Sequence, residues 1–354
     1  MREFQGLLLF VLCLGFLNGC SQHDGRPVLV VPKKKTEAVI LRLGHFPNVT
    51  HAQALLGRAT GSYEKALGGR IEWQMFNAGP SAVEALFSDS LDATYIGPNP
   101  AINGFAKSKG ASFVIVAFAA SGGAGLVVRR DAGIKSEKDF NGRTVATPQL
   151  GNTQDVAARC WFKAQGFKTI DQGGALNLLP LRNPDQLLMF QRKEIDAAWT
   201  VEPWISRLEQ EGGGQLFLDE RTLWPQGRFV TTVLIVRRAF LAQHRDVVER
   251  LVAAHVEATR IINADKAKAS TVINEEIKRE TMKALAEPVI LSAMQRVDFS
   301  WEPLMAELEL AARNAEAVGM LKCPDDLARL WDPQFISRYG PSTVPAVSAP
   351  DGKK

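Results

Sequence analysis

Four polar loops in this sequence carry residues able to hold a small molecule by hydrogen bonds. FPNVTH places Asn48, Thr50 and His51 at the start of one expected helix, and NAGPSAVEAL places Ser81 at the start of another. TPQLGNTQD sets Gly151, Asn152, Thr153 and Gln154 before a third, and VEPW sets Glu202 and Trp204 before a fourth. Ser, Thr and Asn at such places act first as N-caps, each worth about 1 kcal/mol. Several helix starts converging on one place do more. Their free N–H groups and positive dipole ends seat an anion without any lysine or arginine. Two glycine-bearing segments, YIGPNP with Gly97 and Asn99 and ASGGAG with Ser121 and Gly122, let backbone come close to such a ligand.

The same residues give little support for catalysis. His51 reads as a capping or packing histidine before it reads as a proton carrier. Trp204, next to a proline at a helix start, suits a ligand-contacting wall. Glu202 is out of place in an anion site, and two roles stay open for it: bonding backbone at the helix start, or receiving the cationic end of a zwitterion. No GxSxG, HExxH, P-loop or GxGxxG pattern occurs. Neither Cys160 nor Cys323 has a partner at metal-ligand spacing, and no metal is expected; no cofactor is expected either.

The elements that must carry these loops alternate in type. VILRLGHF, IEWQMF, DATYIG and SFVIVAFAA read as strands, separated by helical stretches such as THAQALLGRATGSYEKAL. GRTVATP opens a second series of the same kind, through LNLLPL and IDAAWT. From RFVTTVLIVRR onward the chain is mainly helical. This order predicts open α/β sheets with right-handed crossovers, which bind ligands at strand C-termini. A shift of 104 places Pro80 on Pro184, Asp92 on Asp196, Asn48 on Asn152 and Tyr95 on Trp199. LDATYIGPNP and IDAAWTVEP are then two uses of one structural device. Asp92 and Asp196, each ahead of a strand, are expected to bond local N–H groups and not to act as a catalytic pair.

Composition sets the surroundings. The chain has 354 residues, 23% charged, with a net charge of +4, and its basic residues do not cluster enough for a nucleic-acid footprint. Met1-Arg2, the apolar GLLLFVLCLGFL and Asn18-Gly19-Cys20 describe a secretory leader, too short to span a bilayer. Leu17 to Cys20 resembles a bacterial lipobox, which makes Cys20 the lipid-bearing mature N-terminus. Residues 20–37 then read as a tether and 339–354 as a Pro- and Ser-rich tail. Cys160 and Cys323 remain either as a disulfide or as two buried thiols.

GHFPNVTHAQALLG, NAGPSAVEALFS, LDATYIGPNPAI, TPQLGNTQDVAAR and IDAAWTVEPW together resemble the substrate-binding proteins of bacterial ABC importers for nitrate, sulfonates, taurine and bicarbonate. The resemblance runs in order from about Leu41 to Phe240. It implies a two-lobed periplasmic-binding-protein fold of the second type: lobe I as 38–122 and 232–338, lobe II as 123–231, and the ligand cleft between them. It also implies a non-enzymatic, monomeric capture protein at the periplasmic or cell surface. Such a protein takes a small anionic or zwitterionic ligand and delivers it to a membrane permease. A pyrimidine-precursor binder for a thiamine-type importer, or a cofactor-dependent enzyme on the same fold, are the alternatives.

Overall fold

The computed structural model describes residues 39–341; the leader, Cys20, the tether and most of the tail lie outside the described residues. Among the described residues eleven strands follow one another: β1 (Ile40–His45), β2 (Arg70–Met75), β3 (Ala93–Ile96), β4 (Phe113–Gly122), β5 (Ala124–Arg129), β6 (Thr144–Thr147), β7 (Asn177–Pro180), β8 (Ala197–Val201), β9 (Gly214–Asp219), β10 (Val230–Arg237) and β11 (Val297–Phe299). They form two sheets, ordered β2-β1-β3-β10-β4-β11 and β7-β6-β8-β5-β9. Each sheet holds three parallel strands in the order second, first, third, completed by antiparallel strands. The two-sheet α/β architecture implied by the resemblance is what the structure shows.

β3, β4, β5 and β8 are buried along their whole length, which explains their near-continuous apolar runs. The chain passes from the first sheet to the second through Gly123 alone, with Gly122 at φ +74° and Gly123 at φ +67°. It returns through residues 220–229. The stretch THAQALLGRATGSYEKAL is broken by Gly61, at φ +64°, into helices Ala52–Thr60 and Ser62–Leu67. β5 and β9 were not expected. GLVVR merges with the glycine turn before it, and GQLFLD is a short run whose alternation is visible only once its partner is known. Cys160 and Cys323 are both free thiols. Among the described residues no helix is long and apolar enough to cross a membrane.

The repeated device is a carboxylate clip. Asp92 Oδ2 accepts from the Arg42 backbone N–H at 3.0 Å and from its Nε at 2.8 Å, while Asp92 N–H donates to the Arg42 carbonyl at 3.0 Å. Arg237 N–H donates to the Asp92 carbonyl at 2.8 Å, and its Nη2 reaches Oδ1 at 3.1 Å. In the second sheet Asp196 Oδ2 accepts from Thr144 N–H at 3.0 Å, Asp196 N–H donates to the Thr144 carbonyl at 2.9 Å, and Arg129 N–H donates to the Asp196 carbonyl at 2.9 Å. Each aspartate therefore ties together the ends of three neighbouring strands. The expectation that each bonds neighbouring backbone N–H groups is met, and both are at the ends of their strands away from the pocket loops described below.

Burial by itself would raise the Asp92 pKa, but hydrogen bonds from Arg42 and Arg237 pull it below the ordinary 3.8. A depressed carboxyl stabilises the fold above its unfolded pKa, and that contribution fades as pH falls through the folded value. Asp92→Asn is expected to cost about 2 kcal/mol in denaturant unfolding. The cost should be constant from pH 8 to 5 and shrink only below about pH 4. A variant as stable as the parent at pH 7 removes the clip.

Candidate functional site

The C-terminal ends of six parallel strands, three in each sheet, point their loops at one crevice. From the first half come Phe46, Asn48, Thr50 and His51 after β1, Asn77 after β2 and Gly97 after β3. From the second come Pro148, Asn152, Thr153 and Gln154 after β6, Asn183 after β7 and Val201 at the end of β8, with Thr231 on the returning strand. The halves are drawn together around it. Val49 N–H donates to the Glu202 carbonyl at 3.2 Å, and the Trp204 indole N–H donates to Asn48 Oδ1 at 3.0 Å. The space left is about 20 Å³, on the scale of one or two water molecules.

No lysine, arginine, aspartate or glutamate lines this inner pocket. Its polarity comes from amides, hydroxyls, one imidazole and helix starts. Asn152 caps helix Thr153–Ala164 by accepting from Gln154 N–H at 2.9 Å. Asp155 in the first turn is occupied elsewhere, by Thr147 Oγ1 at 3.0 Å, Gly151 N–H at 2.9 Å and Arg159 Nε at 3.1 Å. Thr153 Oγ1 is buried with no hydrogen-bond partner, a costly state that a ligand atom would relieve. Across from it, a Cβ on Gly97 would come within 2.5 Å of that oxygen, so glycine lets the two halves approach.

His51 Nδ1 accepts from Phe46 N–H at 3.3 Å, which puts the ring proton on Nε2, and the ring stacks on Phe46 with centroids 4.4 Å apart. Burial drives its pKa well below 6.5, with His45 acting in the same direction. His51 is thereby held neutral near neutral pH, with its Nε2–H left as a hydrogen-bond donor.

An outer cavity of about 390 Å³ shares Asn48, Asn77 and Asn183 with the inner pocket. Met75, Leu187, Trp204, Ile277, Leu285 and Pro47, Pro184 and Pro203 give it an apolar wall, and Arg207, Glu280, Thr281 and Lys283 complete it. Arg207 is already held by Glu211 at 3.0 Å and lies over the Trp204 ring at 4.7 Å.

Of the residues singled out in the sequence, Asn48, Thr50, His51, Gly97, Asn152, Thr153 and Gln154 meet at the inner pocket, and Trp204 lines the outer cavity. The others stand elsewhere. Ser81 is half-buried in the first turn of helix Gly79–Phe87, whose N-cap position is taken by Ala78. Asn99 Nδ2 donates to the Ala311 carbonyl at 3.2 Å, and Ser121 Oγ accepts from Phe229 N–H at 3.3 Å. Gly122 packs against the Arg221 guanidinium, and Gly151 N–H is used by Asp155. Glu202 is buried away from the pocket wall, its carboxylate held by Arg296 and Ser206. Phe46, Asn77, Pro148, Asn183, Val201 and Thr231 were missed. Asn183-Pro184 had a signal, since it matches Gly79-Pro80 at the start of the corresponding helix; Thr231 had none.

The buried ring of His51 is expected to keep its neutral signature in nitrogen-detected NMR from pH 8 to 5. A titration midpoint near 6.5 would place it in solvent and remove it from the pocket.

The NMT1-like family matches residues 34–274. The taurine-binding periplasmic protein of Escherichia coli (strain K12) is 24% identical over 214 residues, 60% of this chain and 64% of that protein, so the match spans under two thirds of that relative's length. The putative aliphatic sulfonates-binding protein of the same strain is 25% identical over 275 residues, 75% of this chain and 80% of that protein. The solved alkanesulfonate-binding protein SsuA from Xanthomonas axonopodis pv. citri, bound to MOPS, superposes with a TM-score of 0.66 at 20% identity, covering 81% of this chain and 95% of that one. Likeness at that identity speaks for the fold, that of periplasmic binding proteins. With a match over more than half of its length, the chain belongs to the NMT1-like family.

Proposed function

We propose that this protein captures a small organic oxyanion of the sulfonate or taurine class between its two halves and delivers it to an ABC permease. The observation that carries this reading is the inner pocket: an uncharged ring of donors built from six strand ends, with Thr153 Oγ1 buried and unpartnered in it. Helix starts and neutral N–H groups compensate an anion without burying a counter-charge. Micromolar affinity requires about 8 kcal/mol, within reach of several charge-assisted hydrogen bonds shielded from water.

The apolar outer cavity favours an anion with a carbon tail over bare nitrate or bicarbonate. Its 390 Å³ opens directly onto the asparagines of the inner pocket. The names of the relatives point to the same chemistry. In this reading the lobes are 38–122 with 232–338, and 123–231. They move apart on their two crossovers to admit ligand and close over it, since the inner space as it stands is too small to exchange a sulfonate freely. Lipid on Cys20 and the tether would hold the protein at the outer face of the membrane, beside the permease. No step of bond making is proposed.

Thermal unfolding of the leaderless protein against butanesulfonate, taurine, nitrate, bicarbonate and a pyrimidine tests this. The true ligand at a hundredfold its Kd adds about 2.7 kcal/mol. A shift with nitrate but no sulfonate removes the tail argument, and a shift with pyrimidine alone removes the oxyanion reading. Thr153→Val should weaken sulfonate binding about tenfold in calorimetry, the loss of one hydrogen bond to a charged group. Gly97→Ala should weaken it at least as much, because its methyl either turns the Thr153 hydroxyl aside or keeps the halves apart. Unchanged affinity in both variants would put the ligand elsewhere.

A further inference from the structure

Glu202 attracted notice in the sequence as an acid beside an anion site, yet its carboxylate is fully buried and off the pocket wall. It is held from both halves at once. Oε1 accepts from Arg296 Nη1 at 2.9 Å and from Ser206 Oγ at 3.0 Å, and Oε2 accepts from Ser206 N–H at 3.2 Å. Ser206 belongs to helix Trp204–Gln210 in the second half. Arg296 ends helix Glu287–Arg296 and leads into β11, which pairs with β4 in the first sheet. The same guanidinium holds Glu209 through Nη2 at 2.8 Å.

The backbone of Glu202 is tied just as closely. Its N–H donates to the Gly123 carbonyl at 2.8 Å, at the single-residue crossover, and its carbonyl accepts from Val49 N–H at the edge of the pocket. Arg296 in turn gives its carbonyl to Arg221 Nη2 at 2.7 Å, on the returning crossover. One ion pair thus connects both crossovers, an inter-half helix contact and the loop bearing Asn48.

We infer that Glu202 and Arg296 are positioning residues that fix the angle between the halves and so govern ligand affinity without touching ligand. This rests on the capture reading for its consequence and on the geometry alone for its mechanism. Removing Arg296 leaves the fully buried Glu202 carboxylate uncompensated, and the surroundings relieve it by admitting water. Removing the carboxylate takes from the partly exposed Arg296 its ion pair beside the crossover and leaves it to Glu209. Here the seam that can open is the one between the halves. A smaller population of the closed arrangement lowers apparent affinity by the same factor.

The test compares the leaderless protein with Glu202→Gln, Arg296→Met, the double variant and Asp92→Asn, a destabilised control whose change lies far from the seam. Small-angle scattering of the ligand-free proteins should show a larger radius of gyration for Glu202→Gln and Arg296→Met than for the parent or Asp92→Asn. Butanesulfonate affinity should fall at least tenfold in each single variant, and by less than the product of the two in the double. Arg296→Lys, which keeps the charge, should recover part of it. Equal radii in parent and Glu202→Gln overturn the inference whether or not any sulfonate binds. A lowered Tm with unchanged affinity overturns it too, showing a pair that only stabilises the fold. If the radii differ while the parent binds no member of the ligand panel, the capture reading fails and the hinge assignment stands.

Discussion

A pocket without a charged side chain holds an anion only if its neutral dipoles already point inward and cannot turn away. In water an amide or hydroxyl gains little from an anion, because it gives up comparable hydration. In a dry crevice with fixed donors that exchange is made once, on folding, and the ligand meets groups needing no further ordering. The rest of this structure can be understood as the means of fixing those donors. Asn152 is locked by the Gln154 N–H it caps, His51 by the Phe46 N–H on its other nitrogen, and Asn48 by the Trp204 indole. Among the described residues lining the pocket, only Thr153 Oγ1 is buried without a partner.

Fixing donors in two separate sheets requires each sheet to be rigid and the joint between them to be restricted. The aspartate clips serve the first need, tying three strand ends together in each half at the side opposite the pocket loops. The glycine pair at 122–123 gives the joint its close passage. Thr231 Oγ1, on the pocket wall, donates to the Gly122 carbonyl at 2.6 Å and so joins pocket to crossover. The ion pair of Glu202 with Arg296 spans the same joint on its other side. Glu202 thus lies off the pocket wall, where Arg296 supplies its counter-charge.

Most of the alternation of strands and helices and about half of the residues lining the candidate pocket could be read from residue types. Helix starts rich in Asn, Thr and Gly declare themselves because capping is a local interaction, decided within four residues. Asn48, His51, Asn152 and Thr153 were recognisable on that ground. Ser81 and Asn99 satisfied the same local rule and still stand apart, since Ala78 and not Ser81 holds the cap position of helix Gly79–Phe87, and Asn99 finds a carbonyl on helix Met305–Ala317. β9 and Thr231 were illegible for the opposite reason. Their significance comes from partners more than eighty residues distant, Gly125 to Arg129 for the strand and Gly122 for the threonine.

By itself the sequence determined the alternation of strands and helices, the duplicated placement of Asp92 and Asp196, and the set of loops rich in hydrogen-bond donors. These follow from side-chain periodicity and from interactions between near neighbours. Which donors face one crevice, that no charged side chain lines its inner pocket, and that Glu202 pairs with Arg296 off the pocket wall were decided only by the tertiary structure. Each depends on the angle at which two independently closed sheets meet, set by contacts between segments that no local pattern brings together.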